Sequence, residues 1–157
     1  MTNLQDYFFG QVSKEAYQLF AVFARFEYAM KKGGFRRKKS PDAAWRTFAG
    51  GLGNEFFECM KSTKEAKIYF DQPPNQLILS DNSVTWSKIP KVPSTTVGLF
   101  ESIKAARNNL FHGDKKHNRK RDQDLMIAAL FILNAAYDAA EKDPKYYAFI
   151  AEMEFGL

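Results

Sequence analysis

The chain is poor in cysteine and histidine, the two residues that most often bind zinc. It has one cysteine, Cys59, and two histidines, His112 and His117, among 157 residues. A single cysteine cannot form an intrachain disulfide, so a disulfide framework is excluded, and Cys59 is expected to be a small buried hydrophobic residue. No HxxxH or CxxC spacing occurs, so we predict no metal and no cofactor. A magnesium site made only of carboxylates stays open, although no DxD cluster occurs.

The sequence also lacks a long apolar run. The longest, residues 125–133, ends at Asn134, far short of the roughly 20 residues that a membrane helix needs. The opening MTNLQDYFFG has no cationic segment before an apolar run, so we expect no secretory signal, no membrane association and a cytoplasmic location. The length fits one domain, residues 1–157, and the hydrophobic content of 45% can supply its core.

The net charge of +5 is small, but the charges are unevenly distributed. Residues 31–39 contain six cations and no anion, and residues 114–122 contain five cations and two anions. Without these nine net positive charges the remainder of the chain carries −4. The protein is therefore an acidic body with two basic segments, each of which is either a solvated surface or a site for an anionic partner.

Helical periodicity dominates the sequence and predicts an all-α protein, a compact bundle of four to six helices. Ser13 and Asp122 are candidate N-caps, Gly33 ends the first helix, and Ser40-Pro41-Asp42 is a typical helix start. The predicted helices span 13–32, 41–49, 54–70, 95–112, 122–142 and 144–153, with a break at the glycine run 50–53. Residues 125–140 are apolar nearly all round, which favours a central or interface helix.

Residues 71–93 have a different character. Four prolines bracket two short β-like runs on either side of Asp81-Asn82. This pattern predicts a small loop or β-hairpin insertion at about 72–92 on an otherwise helical domain.

The carboxylate of Glu27 falls on the apolar face of the first predicted helix, where burying it is costly unless a partner binds it. Glu27 is either a residue that positions a functional site or a buried stabilising device, and Arg107 is a candidate partner. Phe35 and Trp45 flank the first basic segment and either stack on bases or pack in the core.

One hexamer carries a recognisable pattern. Arg107-Asn108-Asn109-Leu110-Phe111-His112 lies late in a predicted helix, ahead of a glycine and a polar loop, and a long apolar helix follows. It resembles the RNxxxH form of the Rx4–6H motif of the HEPN superfamily (higher eukaryotes and prokaryotes nucleotide-binding domains). The N-terminal segment FARFEYAMKK is similar to the first core helix of that family. The resemblance implies a HEPN-like helical domain.

The ribonucleases of that family are similar in using Arg and His without metal in a cleft between two protomers. The resemblance therefore implies a homodimeric endoribonuclease of toxin or defence type, with a possible antitoxin partner. An imidazole titrates near neutrality, so His112 suits a general acid or base, and the fixed charge of Arg107 suits the transition state. Asn108 would orient the ring or contact phosphate. Arg107 and His112 lie about 140° apart on an ideal helix, which favours a site assembled across a dimer.

The second basic segment follows the motif directly, so we expect it to hold the RNA backbone. Its cations are Lys115, Lys116, Arg119, Lys120 and Arg121. His112 alone is also consistent with a helix C-cap, because an imidazolium suits that end of the dipole. The alternative function is a non-catalytic nucleic-acid- or protein-binding module, in which Arg107 is structural. Some family toxins carry a tyrosine two residues past the histidine, where this chain has Asp114.

Overall fold

The computed structural model describes residues 3, 5–6, 10–111 and 120–156, and these ranges are mostly helical. The α-helices are α1 (Lys14–Lys32), α2 (Trp45–Ser62), α3 (Ile68–Asp71), α4 (Thr96–Phe111), α5 (Lys120–Ala140) and α6 (Tyr147–Glu154). Short 3₁₀ turns cover Lys64–Ala66 and Pro144–Tyr146, and the strands are β1 (Leu77–Ser80) and β2 (Ser83–Trp86). The prediction of a helical bundle with a small β insertion is confirmed.

Helix α5 lies at the centre of the described part of the chain and packs against each of the five other α-helices named above. Most of its alanines and large apolar residues, among them Leu125, Ile132 and Leu133, are buried or partly buried. This arrangement confirms the interpretation of residues 125–140 as a central helix. Within the described ranges no helix is long and apolar enough to cross a membrane.

Helix α1 begins and ends where the capping residues predict. The Ser13 hydroxyl accepts a hydrogen bond from the Ala16 backbone N–H at 3.2 Å, and the Gly33 N–H donates to the Ala29 carbonyl at 2.7 Å. A Cβ at Gly33 would lie 2.5 Å from the Cα of Phe149 and 2.6 Å from its backbone nitrogen. The end of α1 therefore touches the backbone of α6, which only glycine permits.

Helix α2 differs from the prediction at both ends. It starts at Trp45 instead of Pro41, because the Ala44 N–H donates to the Phe35 carbonyl and the Arg37 N–H donates to the Asp42 carbonyl. These bonds fold residues 35–44 into a narrow loop that competes with a helix start. The helix then ends at Ser62 rather than at residue 70, since Thr63 is extended with ψ 129°.

The predicted break in the glycine run is present as a kink at Gly53, whose φ of 76° is left-handed. The Gly53 carbonyl accepts a hydrogen bond from the Thr96 hydroxyl at 2.6 Å, so the kink is tied to the first residue of α4. Further along α2, the expectation that Cys59 is buried was wrong, because Cys59 is exposed.

The β-hairpin insertion is confirmed. Strands β1 and β2 pair antiparallel with Leu79 opposite Val84, and Asp81 and Asn82 form the turn with φ of 47° and 59°. Positive φ at both central residues is the pattern of the two-residue hairpin turn, which Asp and Asn tolerate.

The last two helices begin close to their predicted starts. Helix α5 starts two residues before Asp122, which is buried in the first turn instead of capping it. Before α6, the Asp143 carboxylate accepts a hydrogen bond from the Lys145 N–H at 3.1 Å and caps the 3₁₀ turn.

Candidate functional site

The first two motif residues lie near the C-terminal end of α4, and they contact each other. The Arg107 Nη1 donates to the Asn108 Oδ1 at 3.0 Å. The Arg107 guanidinium carbon lies 5.1 Å from the ring centroid of Phe23 on α1, which is cation–π geometry. An arginine stacked in this way has few accessible side-chain conformations.

Glu27 is connected to Arg107 through two aromatic rings. The Glu27 Oε1 accepts a hydrogen bond from the Trp45 Nε1 at 2.9 Å. The Trp45 and Phe23 rings stack with centroids 4.6 Å apart, and Arg107 lies on Phe23. Among the described residues the donor to the Glu27 carboxylate is thus the indole, and the direct Glu27–Arg107 ion pair considered above is not formed.

The aromatic residues beside the first basic segment pack in the core. Trp45 is 4% exposed, and the Phe35 ring stacks on Tyr146 with centroids 5.1 Å apart. Of the two interpretations, packing is confirmed for both rings. Phe35 also holds the base of the loop that carries Arg36 and Arg37.

Asn109 is the third residue of the motif, and no role was predicted for it. Its side chain is 5% exposed, and its Nδ2 donates to the Asn75 carbonyl at 2.8 Å. Asn75 belongs to the stem of the hairpin insertion, so the motif helix holds that stem. A signal for this role exists, because Asn109 lies one turn from Ala106 on the core stripe, where a polar side chain needs a partner.

Two of the five proposed RNA-binding cations, Lys120 and Arg121, lie among the described residues. Lys120 is exposed, and its Nζ lies 3.7 Å from the Oδ2 of Asp124, one turn along α5. The Arg121 Nη2 donates to the carbonyls of Gln72 and Pro73 at 3.2 and 2.7 Å. Arg121 therefore anchors the stem, in addition to any contact with RNA. The other predicted site residues, His112, Lys115, Lys116 and Arg119, lie outside the described residues, as does His117.

A groove follows the outward face of α4. It consists of three adjoining hollows of about 450, 310 and 470 Å³ that meet at Glu101. Asn108 lines the hollow of about 310 Å³, beside Lys104 and Gln76. We call this feature the α4 groove. The groove residues of α4 include Val97, Glu101, Lys104 and Asn108, which are spaced at helical intervals.

No cluster of three or more metal-ligating side chains occurs in the parts of the chain that the structure describes. The side chains collected around the motif are instead a guanidinium, amides, aromatic rings and the carboxylates of Glu27 and Asp122. This arrangement can hold a fixed positive charge beside a polar groove. No family model matches the chain, and neither does a curated protein or a solved structure.

Proposed function

We propose that the protein is a metal-independent endoribonuclease with a HEPN-like fold, acting in the cytoplasm as a homodimer of toxin or defence type. The observation that carries the proposal is the pair formed by Arg107 and Asn108. The Arg107 guanidinium lies against the Phe23 ring and next to the Asn108 amide, which lines the α4 groove. Such a cation is fixed before substrate arrives, which is what stabilisation of a developing anion requires.

The proposed reaction needs only proton transfer and charge stabilisation. The 2′-oxygen of a nucleotide attacks the adjacent phosphorus as its proton passes to a base, and the P–O bond to the 5′-oxygen breaks as that oxygen gains a proton. The products are a 2′,3′-cyclic phosphate and a 5′-hydroxyl. His112 serves as the base or the acid, and the Arg107 guanidinium stabilises the pentavalent phosphorus. Asn108 holds Arg107 in place through its Oδ1 and leaves its amide N–H groups for phosphate.

Dimerisation supplies what one protomer lacks. A site that takes Arg107 from one protomer and His112 from the other would bring both side chains to one phosphodiester. The wheel angle between positions 107 and 112 also favours a site completed by a second copy. The second basic segment of each protomer would then contribute cations to the same cleft. An antitoxin protein would act by covering that cleft.

The alternative is a non-catalytic nucleic-acid- or protein-binding module of the same fold. It is favoured by the internal contacts of Arg107, since stacking on Phe23 and bonding to Asn108 also describe a structural arginine. In that case the groove and the basic segments bind a partner without chemistry.

Cleavage in EDTA tests the enzyme. Purified protein would be incubated with structured and unstructured RNA beside His112→Ala, Arg107→Lys and the matched control His117→Ala. We expect 2′,3′-cyclic phosphate ends from the wild type and from His117→Ala, and a loss of at least about 100-fold in His112→Ala and Arg107→Lys. RNA binding without cleavage by the wild type, unchanged in His112→Ala, would leave the binding module as the function.

The composite site has its own test. Inactive His112→Ala and Arg107→Ala chains would be mixed after partial unfolding and refolding, so that mixed dimers form. If Arg107 and His112 of one site come from different protomers, the mixture regains activity because one intact site is rebuilt. Light scattering that shows only monomers at tens of micromolar, on the order of where obligate dimers persist, would contradict the dimer.

A further inference from the structure

We infer that the α4 groove is the binding track for a single strand of RNA, which it leads along α4 to Asn108. The inference rests on the proposed function and goes beyond it, because the second basic segment, which follows the motif, was the expected RNA contact. The groove is formed by parts of the chain that are distant in sequence: the loop after α1, the start of α2, the hairpin stem and α4.

The charges that line the groove are of one sign with a single exception. Four cations line the groove, and Glu101 is the one carboxylate among its described lining residues. The cations are Arg37, Arg46, Lys91 and Lys104. A net positive groove in a chain whose body carries a negative excess concentrates polyanions at that place. Solvent reaches these side chains, so they can turn toward phosphates.

The one carboxylate is held by a weak ion pair. The Arg46 Nη1 lies 2.5 Å from the Glu101 Oε1 where the three hollows meet, and these side chains are 76% and 40% exposed. An ion pair this exposed contributes little stability and is readily exchanged. A phosphate oxygen is a competing acceptor for the same guanidinium. Glu101 therefore competes with phosphate for the Arg46 guanidinium, and binding of a phosphodiester would displace Glu101 from Arg46.

The two ends of the groove also suit a nucleic acid strand. At one end lies the N-terminus of the 16-residue α4, where the Thr95 hydroxyl accepts from the Gly98 N–H at 3.0 Å and the helix dipole is positive. At the other end lies Asn108, bonded to Arg107. The distance along the helix axis from Val97 to Asn108 is about 16 Å. Polar side chains on the way, Gln76 and Ser102, can bond to base edges and 2′-hydroxyls.

A single strand fits these features better than a duplex. The chemistry of the proposed cleavage needs an unpaired nucleotide whose 2′-oxygen can align with the departing 5′-oxygen. Amide and hydroxyl side chains inside the groove read base edges, which a double helix keeps paired. The groove would thus bring unpaired RNA to the motif.

Binding of a strand that cannot be cleaved provides the test. The probe is a fluorescein-labelled 2′-O-methyl oligouridylate of 12 nucleotides, which has no free 2′-hydroxyl, and its affinity is measured by anisotropy at several salt concentrations. Two groove variants, Lys104→Gln and Glu101→Gln, change charge in opposite directions. Their matched controls are Lys142→Gln and Glu58→Gln, which make the same charge changes at exposed positions away from the groove.

We expect Lys104→Gln to weaken binding by about threefold or more and to lower the salt slope by roughly 0.7, the value of one lost phosphate contact on a single strand. Glu101→Gln should tighten binding by a similar factor of about three, because it removes the competitor and frees Arg46. The controls should stay within about 1.5-fold of the wild type, since charges far from the strand are screened. Thermal unfolding would verify that the variants fold.

Several results would overturn the inference. These are groove variants that match their controls, a Glu101→Gln change with no gain, and an affinity for poly-glutamate equal to that for the RNA. Failure of the groove and failure of the enzyme are distinguishable, because the probe reports binding alone. The opposite responses of Lys104→Gln and Glu101→Gln without any RNA cleavage would support the groove and refute the nuclease.

Discussion

Glu27 lies half-buried on α1, where the Trp45 indole donates a hydrogen bond to its carboxylate. A buried carboxylate needs a donor, and the indole supplies one without bringing a second charge into the core. Arg107 is thereby left to stack on Phe23 with its fork directed toward Asn108. At the scale of single residues, Glu27 and Arg107 thus contact different members of the same stacked ring pair.

Two substitutions of Glu27 separate its possible roles. Glu27→Gln keeps an acceptor for the indole and should change the free energy of unfolding by less than about 1 kcal/mol. Glu27→Ala leaves the Trp45 N–H without its acceptor and should cost about 1–3 kcal/mol. Urea unfolding measures both.

The RNA cleavage rate then decides between the two interpretations of Glu27. If Glu27 positions the site, Glu27→Ala lowers the rate of fully folded protein and Glu27→Gln restores it. If Glu27 only stabilises the fold, both variants cleave at the wild-type rate.

At the scale of elements, the end of α1 meets the backbone of α6 at Gly33 without a side chain between them. The rings of Phe26 and Phe149 pack beside this point with centroids 5.3 Å apart. Neither helix can move away without opening that aromatic contact. The glycine at the end of α1 is thus required by packing as well as by helix termination.

Substituting alanine at two glycines should have opposite effects. Gly33→Ala places a Cβ against the Phe149 backbone and should destabilise the fold by about 1–3 kcal/mol, the usual cost of overpacking. Gly50→Ala is the matched control inside α2, where a Cβ would meet the Val97 Cγ2 at an ordinary 3.7 Å. It should stabilise by about 0.5–1 kcal/mol, because alanine favours a helix. A Gly33→Ala protein as stable as wild type in thermal unfolding would contradict the close approach.

At the scale of the whole molecule, two buried phenols tie distant segments together. The Tyr69 hydroxyl donates to the Leu125 carbonyl at 3.1 Å, and the Tyr146 hydroxyl donates to the Phe48 carbonyl at 2.7 Å. Burial raises the pKa of Tyr69 above its usual range, and burial together with the nearby Asp143 carboxylate raises the pKa of Tyr146. The fold requires both phenols to stay protonated.

These raised pKa values predict alkaline instability. The neutral phenol of Tyr69 contributes its full stability below the pKa of the unfolded chain, near 10, and loses it as pH rises above that value. The expected loss is about 1.4 kcal/mol per pH unit from Tyr69. Urea unfolding between pH 9 and 11 should therefore show a shallower decline in Tyr69→Phe than in wild type. The exposed Tyr147→Phe is the control, and an equal decline in both variants would refute the argument.

The helix plan was largely predictable because its signals are local. The caps at Ser13 and Asp143 bond within three residues of themselves, and the turn at Asp81-Asn82 depends on its own two residues. The predicted start of α2 was wrong because the interactions that decide it lie outside the local sequence. Ser40-Pro41-Asp42 is a good local start, but pairing of residues 35–37 with residues 42–44 overrides it.

The candidate site was predictable only in part. The hexamer indicated Arg107 and Asn108, yet the partners of its neighbours come from far along the chain. Asn75 lies 34 residues from Asn109, and the Trp45 donor lies 18 residues from Glu27. Such partners depend on which helix faces meet, and no spacing in the sequence encodes that. The α4 groove was missed because separate segments, each ordinary alone, form it together.

The hairpin stem joins α4 and α5 from the outside, through Asn109 on one helix and Arg121 on the other. The separation of the two helices at this end is thus set by residues 72–75. A change in the stem would therefore move the end of α4 relative to the start of α5, although the stem itself lies outside both helices. The insertion is in this way a spacer for the bundle.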